Sequence, residues 1–345
     1  MVIPTKEGAS ENGLVVFFVD GLRYDAGKRL SKLLDAAGHK VAMSSQWTAV
    51  PSVTASGKML VSPAAIMATG EPDSSDFEPV HKAKRQPLKA PLLRRTLEDM
   101  GWQILLDRAD VGDPTGKAWC ESGDIDTYGH LNGLRLAHDL NHQVQQVRDR
   151  IDQLLKAGWK RVRVVTDHGW LLVPGKLDKV HIEKDMTVTA WGRAAQLKST
   201  AVAQVVTLPW SWCHEVNIAM APGAKSFKAG EHYAHGGLSL QESLTPILEI
   251  ESGQAHLHSA KIKSTRWNRM RLKVEIEGAG RLWVDIRTKA SDRDSSIVEA
   301  EEVRDGVAAL MVQDTDREGE SAVLVVVDAD GNVLAKAKQI IGSND

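Results

Sequence analysis

Cysteine is nearly absent: 345 residues hold two, Cys120 and Cys213, far apart and in no C-x-x-C pair. That excludes a disulfide framework, a thiolate zinc site and a dithiol redox centre. Net charge is equally scarce. Forty-three basic against 45 acidic side chains leave −2, so nothing draws the whole surface to nucleic acid and any such binding is local. No apolar run reaches the roughly 18 residues of a membrane-spanning helix. The start, MVIPTKEGASENG, lacks the charged-then-apolar order of a secretory leader. The expectation is a cytoplasmic protein with no membrane partner. There is no low-complexity tract and no internal repeat, so the chain reads as neither disordered nor solenoid. What remains is 42% hydrophobic and 26% charged residues, a globular composition long enough for two domains of roughly 150 residues. Against this background twelve histidines stand out.

The segment GLVVFFVDG is an apolar run without polar alternation, as expected of a central strand covered on both faces. Asp20 falls at its C-terminal end. Helix formers over 25–37 stop at Gly38, and HKVAMSSQWTAV gives a second extended segment before Pro51. Residues 70–90 read as a long loop or insertion, after which LLRRTLEDM and GWQILLD resume helix and strand. Over 134–157, Leu140, Val144, Val147, Ile151 and Leu154 recur at helical spacing. WKRVRVVTDHGW supplies a strand ending at Asp167 and His168. EVNIAMAPG supplies another, followed by the loop EHYAHGG and a helix opened by the S-x-x-E box of Ser239 and Glu242. The alternation predicts an α/β domain, its central sheet mostly parallel and flanked by helices, over 1–255. Beyond 256 the pattern becomes strand-only, with an Asp330-Gly331 turn joining two strands, and predicts a small antiparallel β-domain over 256–345.

In an open parallel sheet, loops at the carboxyl ends of the strands converge on one rim where ligands bind. Four acid or histidine clusters fall there: Asp20; Asp126 and His130 in GDIDTYGH; Asp167 and His168; His232 and His235 in EHYAHGG. Carboxylates mixed with imidazoles suit zinc or manganese better than calcium, and the donors suffice for two ions. Paired ions activate an attacking oxygen and steady phosphoryl charge. VPSVTASGKM offers hydroxyls in Ser52, Thr54 and Ser56 where a helix N-terminus favours an anion, with Lys58 adding positive charge.

Asp20 after an apolar strand, P-x-x-T at 51–54, D-x-x-G-H at 126–130, D-H-G at 167–169 and H-G-G at 235–237 resemble, in order, the signature of the alkaline phosphatase superfamily. Within it, FFVDGLRYD, AVPSVTAS, GDIDTYGHLNG, VRVVTDHGWLL and HGGLSLQE look most like a PglZ domain, found in BREX phage-defence systems. The resemblance spans about residues 14–250. It implies an alkaline-phosphatase-like fold and two zinc ions, with manganese as the alternative. Asp20, Thr54, Asp167 and His168 would hold one ion, and Asp126, His130 and His235 the other. Thr54 would be the nucleophile of a phosphodiesterase or nuclease, forming a phosphothreonyl intermediate. Asp124 competes with Asp126, His232 with His235, and Ser52 or Ser56 with Thr54. Phosphodiesterase relatives often carry Asn three residues after the threonine; Gly57 stands there, leaving phosphate contact to Lys58 or backbone N–H groups. The implied substrate is a phosphodiester such as DNA or an oligonucleotide, and the implied partners are other BREX-type defence proteins. A phosphomonoesterase or phosphomutase shares the scaffold, and a metal-stabilised, non-catalytic component of a defence complex is the competing class. A sulfatase is disfavoured for want of a C-x-P-x-R nucleophile. Because such relatives carry long N-terminal regions, the chain is expected to be a minimal or excised domain.

His138 and His142 sit i,i+4 but about 160° from the apolar stripe of their helix, and are expected in solvent. His39, His81, His181, His214, His256 and His258 default to structural or surface roles. Two stretches, 82–95 and 261–273, hold six basic and no acidic residues each. They read as solvated surface and interdomain linker, or as contacts to a nucleic-acid backbone, with Arg266-Trp267 able to stack on a base.

Overall fold

The computed structural model describes residues 12–199, 201, 203–252, 260–278, 281–328 and 331–343. His256, His258, Asp330, the 255/256 boundary and the first 11 residues lie outside this set. Contacts divide the chain into two units, Met1–Ser252 and Gly253–Asp345.

The first unit is α/β. Its main elements are β1 (Leu14–Phe18), α1 (Tyr24–Ala36), β2 (Lys40–Trp47), α2 (Thr54–Val61), α3 (Ala90–Asp99), β3 (Gln103–Leu105), β4 (Lys117–Glu121), α4 (Ile125–Asn132), α5 (Leu136–Lys156) and β5 (Arg161–Val165). There follow β6 (Thr187–Ala190), β7 (Ala194–Leu197), β8 (Thr207–Trp210), β9 (Cys213–Met220), α6 (Leu240–Ser243) and β10 (Leu244–Glu251). Six strands form the central sheet in the order β2-β10-β5-β1-β4-β3. Only β10 runs against the others.

The unbroken apolar character of β1 has a direct use. Val15 and Phe17 pack with Leu30 of α1 and Val144, Val147 and Ile151 of α5. Leu14, Val16 and Phe18 point the other way, onto Met59 of α2 and Leu93 and Leu97 of α3. A period of two thus feeds two cores from one central strand. The stripe of α5 is buried as its spacing predicts, while His138 and His142 are exposed.

One reading is borne out and one corrected in this unit. The helix opened at Ser239 does have its capping box, but it stops after four residues and gives way to β10. Pro246 forbids a helix interior, and the alternating apolar residues after it suit a strand. Within β10, pairing to β5 covers only Leu248–Glu251, so the missing N–H of Pro246 opens no gap in that ladder. The segment EVNIAMAPG does not join the central sheet. It forms β9 of a separate antiparallel sheet ordered β6-β7-β9-β8, because only two residues separate Trp210 from Cys213, and a parallel crossover needs a dozen or more.

The second unit contains β11 (Lys261–Asn268), β12 (Arg271–Glu277), β13 (Trp283–Arg287), β14 (Glu301–Glu302), β15 (Val307–Met311), β16 (Ser321–Val327) and β17 (Val333–Ile340). Two antiparallel sheets, β11-β12-β15 and β14-β13-β16-β17, share a core in which Leu272, Val274 and Ile276 meet Val284, Ile286, Leu324 and Val326. The linker reading of 261–273 is overturned, since these residues are the β11–β12 hairpin. Trp267 is 2% exposed, with its indole N–H on Gln339, and is thereby withdrawn from stacking on a base. Among the described residues no helix is long and apolar enough to cross a membrane.

Candidate metal centre

Parallel pairing builds the site. Phe18 of β1 lies opposite Val165 of β5, and two residues further on each strand carries an aspartate, Asp20 and Asp167. The like charges are thus brought together by register. Asp167 and His168 are wholly buried. Asp167 Oδ1 accepts from the N–H of Gly21 (3.2 Å) and of His168 (3.0 Å). Among the described residues its Oδ2 has no hydrogen-bond partner, and neither does the buried Oδ1 of Asp20. Both orphaned oxygens face His168 Nε2, at 3.5 and 3.6 Å. Burial, then Asp167, then Asp126 push the Asp20 carboxyl well above the usual carboxylate range, against the pull of Lys58.

The tautomers are set by the backbone. His168 Nδ1 lies 3.0 Å from the Gly169 carbonyl and His235 Nδ1 lies 3.1 Å from the Ser52 carbonyl. A carbonyl only accepts, so each Nδ1 carries the proton and each Nε2 presents a lone pair to the cluster. The two rings stack at 3.8 Å between centroids.

Asp126 and His130 come from α4, one turn apart on the same face. His130 Nε2 lies 3.6 Å from Asp126 Oδ2 and 3.1 Å from His235 Nε2, and His235 Nε2 lies 3.5 Å from Asp126 Oδ1. Burial lowers the His235 imidazole to about 4, helped by His168 and opposed by Asp126. Burial works to raise Asp126, yet His235, His168, His130 and the Tyr233 hydroxyl outweigh it and hold the carboxyl below its ordinary value. Ligand atoms of Asp20, Asp167 and His168 lie within 4.8 Å of one another, as do those of Asp126, His168 and His235. Two unpartnered carboxylate oxygens facing the His168 Nε2 lone pair form a donor set that fits a divalent cation.

The three candidate hydroxyls part company. Ser52 donates to the Gly237 carbonyl (2.7 Å) and Ser56 to that of Phe77 (2.8 Å), both buried. Thr54, first residue of α2, places Oγ1 3.1 Å from His168 Nε2. Gly57 lies against Asp167: a Cβ there would sit 2.5 Å from the Asp167 carbonyl oxygen, so no larger side chain fits at 57. Lys58 is paired with Glu121 (2.8 Å) beneath the site, a carboxylate that also binds Arg94 and the Trp119 indole. Asp124 is exposed, 3.8 Å from Arg108, and stands apart from the cluster. His232 Nδ1 meets the Val173 carbonyl at 3.0 Å and is likewise outside it.

Sequence reasoning missed Tyr233. Its hydroxyl donates to Asp126 Oδ1 at 2.7 Å, and its ring packs on Gly129, where a Cβ would lie 2.6 Å from Tyr233 Cδ2. Glycine between Asp126 and His130 is what lets the tyrosine reach the carboxylate. Nothing local in EHYAHGG marks it, because its partner Asp126 lies 107 residues away in sequence.

No family profile matches the sequence, and no curated protein does. Among solved structures, murine ectonucleotide pyrophosphatase/phosphodiesterase 5 is similar over 70% of this chain and 88% of its own, at 12% identity and TM-score 0.43. An inactive form of the same murine protein in complex with AMP gives 10% identity at the same coverage and score. The human protein gives 11% identity, 70% and 90% coverage, and TM-score 0.43.

Proposed function

We propose that the chain is a metal-dependent phosphodiesterase of the alkaline phosphatase superfamily, of PglZ type, with Thr54 as nucleophile. The observation that carries this reading is the pair of orphaned oxygens, Asp20 Oδ1 and Asp167 Oδ2, facing His168 Nε2 beside the Thr54 hydroxyl. Asp20, Asp167, His168 and Thr54 would hold one zinc or manganese ion, and Asp126, His130 and His235 a second. Such ions, when bound, lower the pKa of a hydroxyl and neutralise phosphoryl charge. Thr54 Oγ1 then replaces the leaving oxygen on phosphorus, and water replaces Thr54, so the net reaction is hydrolysis. The N-terminus of α2 favours the anion held against Thr54.

Nucleic acid is the proposed diester. On the β11–β12 hairpin, Arg266 lies opposite Lys273, with Arg271 on the same exposed face and Arg269 at the turn. In the stretch 82–95, by contrast, Lys84, Arg85, Lys89 and Arg94 are each paired with an acid, so the hairpin is the better phosphate contact.

The test is elemental analysis of protein purified without chelators, alongside turnover of bis(p-nitrophenyl) phosphate. Thr54→Ala should keep its metal and lose at least ~100-fold in turnover. Metal-free wild-type protein that stays metal-free in excess zinc or manganese would end the reading, and full turnover by Thr54→Ala would move the nucleophile elsewhere.

A further inference from the structure

One short turn ties together three of the loops that carry site residues. The carbonyl of Glu242 accepts from Gly169 N–H (2.9 Å), next to His168. The carbonyl of Ser243 accepts from Thr48 N–H (2.9 Å), and Thr48 in turn donates its hydroxyl to the Asp167 carbonyl. The Glu242 carboxylate accepts from Gly237 N–H (2.8 Å) and the Ser239 hydroxyl (2.7 Å). The Gly237 carbonyl accepts from Ser52 (2.7 Å) and Ser243 (3.1 Å). Ser52 also offers its own carbonyl to His235. Residues 48–54, 167–169 and 235–237 therefore hang on the turn 239–243.

What holds the turn is a buried charge pair. Arg193, just before β7 in the second sheet, meets Glu242 through two bonds of 3.0 Å. Arg193 and Glu242 are 1% and 0% exposed. Buried pairs of this kind can usually be replaced by apolar residues of similar volume without loss of stability, so stability alone gives no reason for one here. An apolar pair cannot, however, accept the N–H of Gly237 at a fixed point. Gly237 leaves no slack either, since a Cβ there would lie 2.6 Å from both Arg193 Nη2 and Glu242 Oε2.

We infer that Glu242, oriented by Arg193, is a positioning residue of the metal-binding cluster: it fixes the Gly236-Gly237 corner and thereby the ring of His235 against His168 and Asp126. The inference rests on the reading of the cluster as a metal centre, and the experiment separates the two. Glu242→Asp keeps the charge beside Arg193 but withdraws the acceptor from Gly237 N–H. Arg193→Met with Glu242→Leu removes both charges at similar volume. Zinc and manganese titrations should show at least one ion bound ~10-fold more weakly in each variant. Crystal structures of the metal-free variants should show the His235 ring displaced from its 3.8 Å stack on His168. A Glu242→Asp protein that binds both ions with wild-type affinity and keeps the stack overturns the inference, and this variant decides if the double variant does not fold. If wild type itself binds no ion, the metal-centre reading fails while the stack in Glu242→Asp still decides the positioning role.

Discussion

Gly129→Ala is a substitution for which helix propensity and packing give opposite signs. Gly129 lies inside α4, where alanine ordinarily stabilises by ~1 kcal/mol. Here the added methyl would sit 2.6 Å from Cδ2 and Cζ of Tyr233, about 1 Å inside ordinary carbon contact. The ring has nowhere to retreat: it is 4% exposed, with Trp170 at 5.5 Å and His130 at 4.9 Å between centroids. Overpacking of this sort costs ~1–3 kcal/mol. Any ring shift also stretches the 2.7 Å bond to Asp126, and a hydrogen bond to a charged group contributes ~1.5–3 kcal/mol. After the propensity gain, Gly129→Ala should destabilise by ~1.5–5 kcal/mol. Urea denaturation in chelator, so that bound metal adds nothing through linkage, measures it. Tyr233→Phe isolates the hydrogen bond, and Gly129→Ala placed in a Tyr233→Leu background should be neutral or stabilising because the clash is gone. A Gly129→Ala protein more stable than wild type by the full propensity increment would refute the packing argument.

Acid stability and salt dependence give two further tests. Burial would raise the Glu121 carboxyl, but hydrogen bonds and charge from Arg94, Lys58 and Trp119 hold it at about 2 against an ordinary 4.5. Its folded-state pKa is depressed, so its stabilisation, roughly 3 kcal/mol, is fully present above pH ~4.5 and lost as pH falls through about 2. Glu121→Gln should flatten that part of the stability profile between pH 6 and 2, and an unchanged slope would refute the assignment. Replacing Arg266, Arg269, Arg271 and Lys273 with serine should lower the slope of log affinity for DNA against log salt by about 0.7–0.9 for each phosphate no longer neutralised. The same slope in both proteins would return the hairpin to a merely soluble surface.

Local patterns carried much of the fold. The two-sided core of β1 and the stripe of α5 depend on periodicities of two and 3.6, which neighbouring residues alone reveal. The start of α6 was legible for the same reason, because a capping box spans four residues. Its end is equally local, since Pro246 cannot sit in a helix interior. The second sheet and the β11–β12 hairpin were harder. Lys261, Lys263, Arg266, Arg271 and Lys273 lie on an exposed face, while Leu272, Val274 and Ile276 alternate behind them, so a dense run of charge overlies the period of two. Tyr233 and the Arg193–Glu242 pair stayed hidden for a different reason: their partners are 107 and 49 residues away in sequence, and nothing local marks a residue that acts by touching another.

The carboxylates were legible because each follows a strand. Once β1 and β5 are neighbours in parallel and Phe18 is in register with Val165, Asp20 and Asp167 must leave the sheet side by side. The chain cannot relieve their repulsion by rotating one away, since Asp167 Oδ1 is fixed by two backbone N–H groups. The nearest imidazole cannot relieve it as a neutral ring, because the proton of His168 is committed to the Gly169 carbonyl. Lys58, the nearest cation by its effect on Asp20, is already bound to Glu121. A proton on Asp20 or an added cation satisfies both orphaned oxygens, and a divalent ion does so while also using the lone pair of His168 Nε2. Sheet register thus makes the demand for positive charge at this rim a property of the fold.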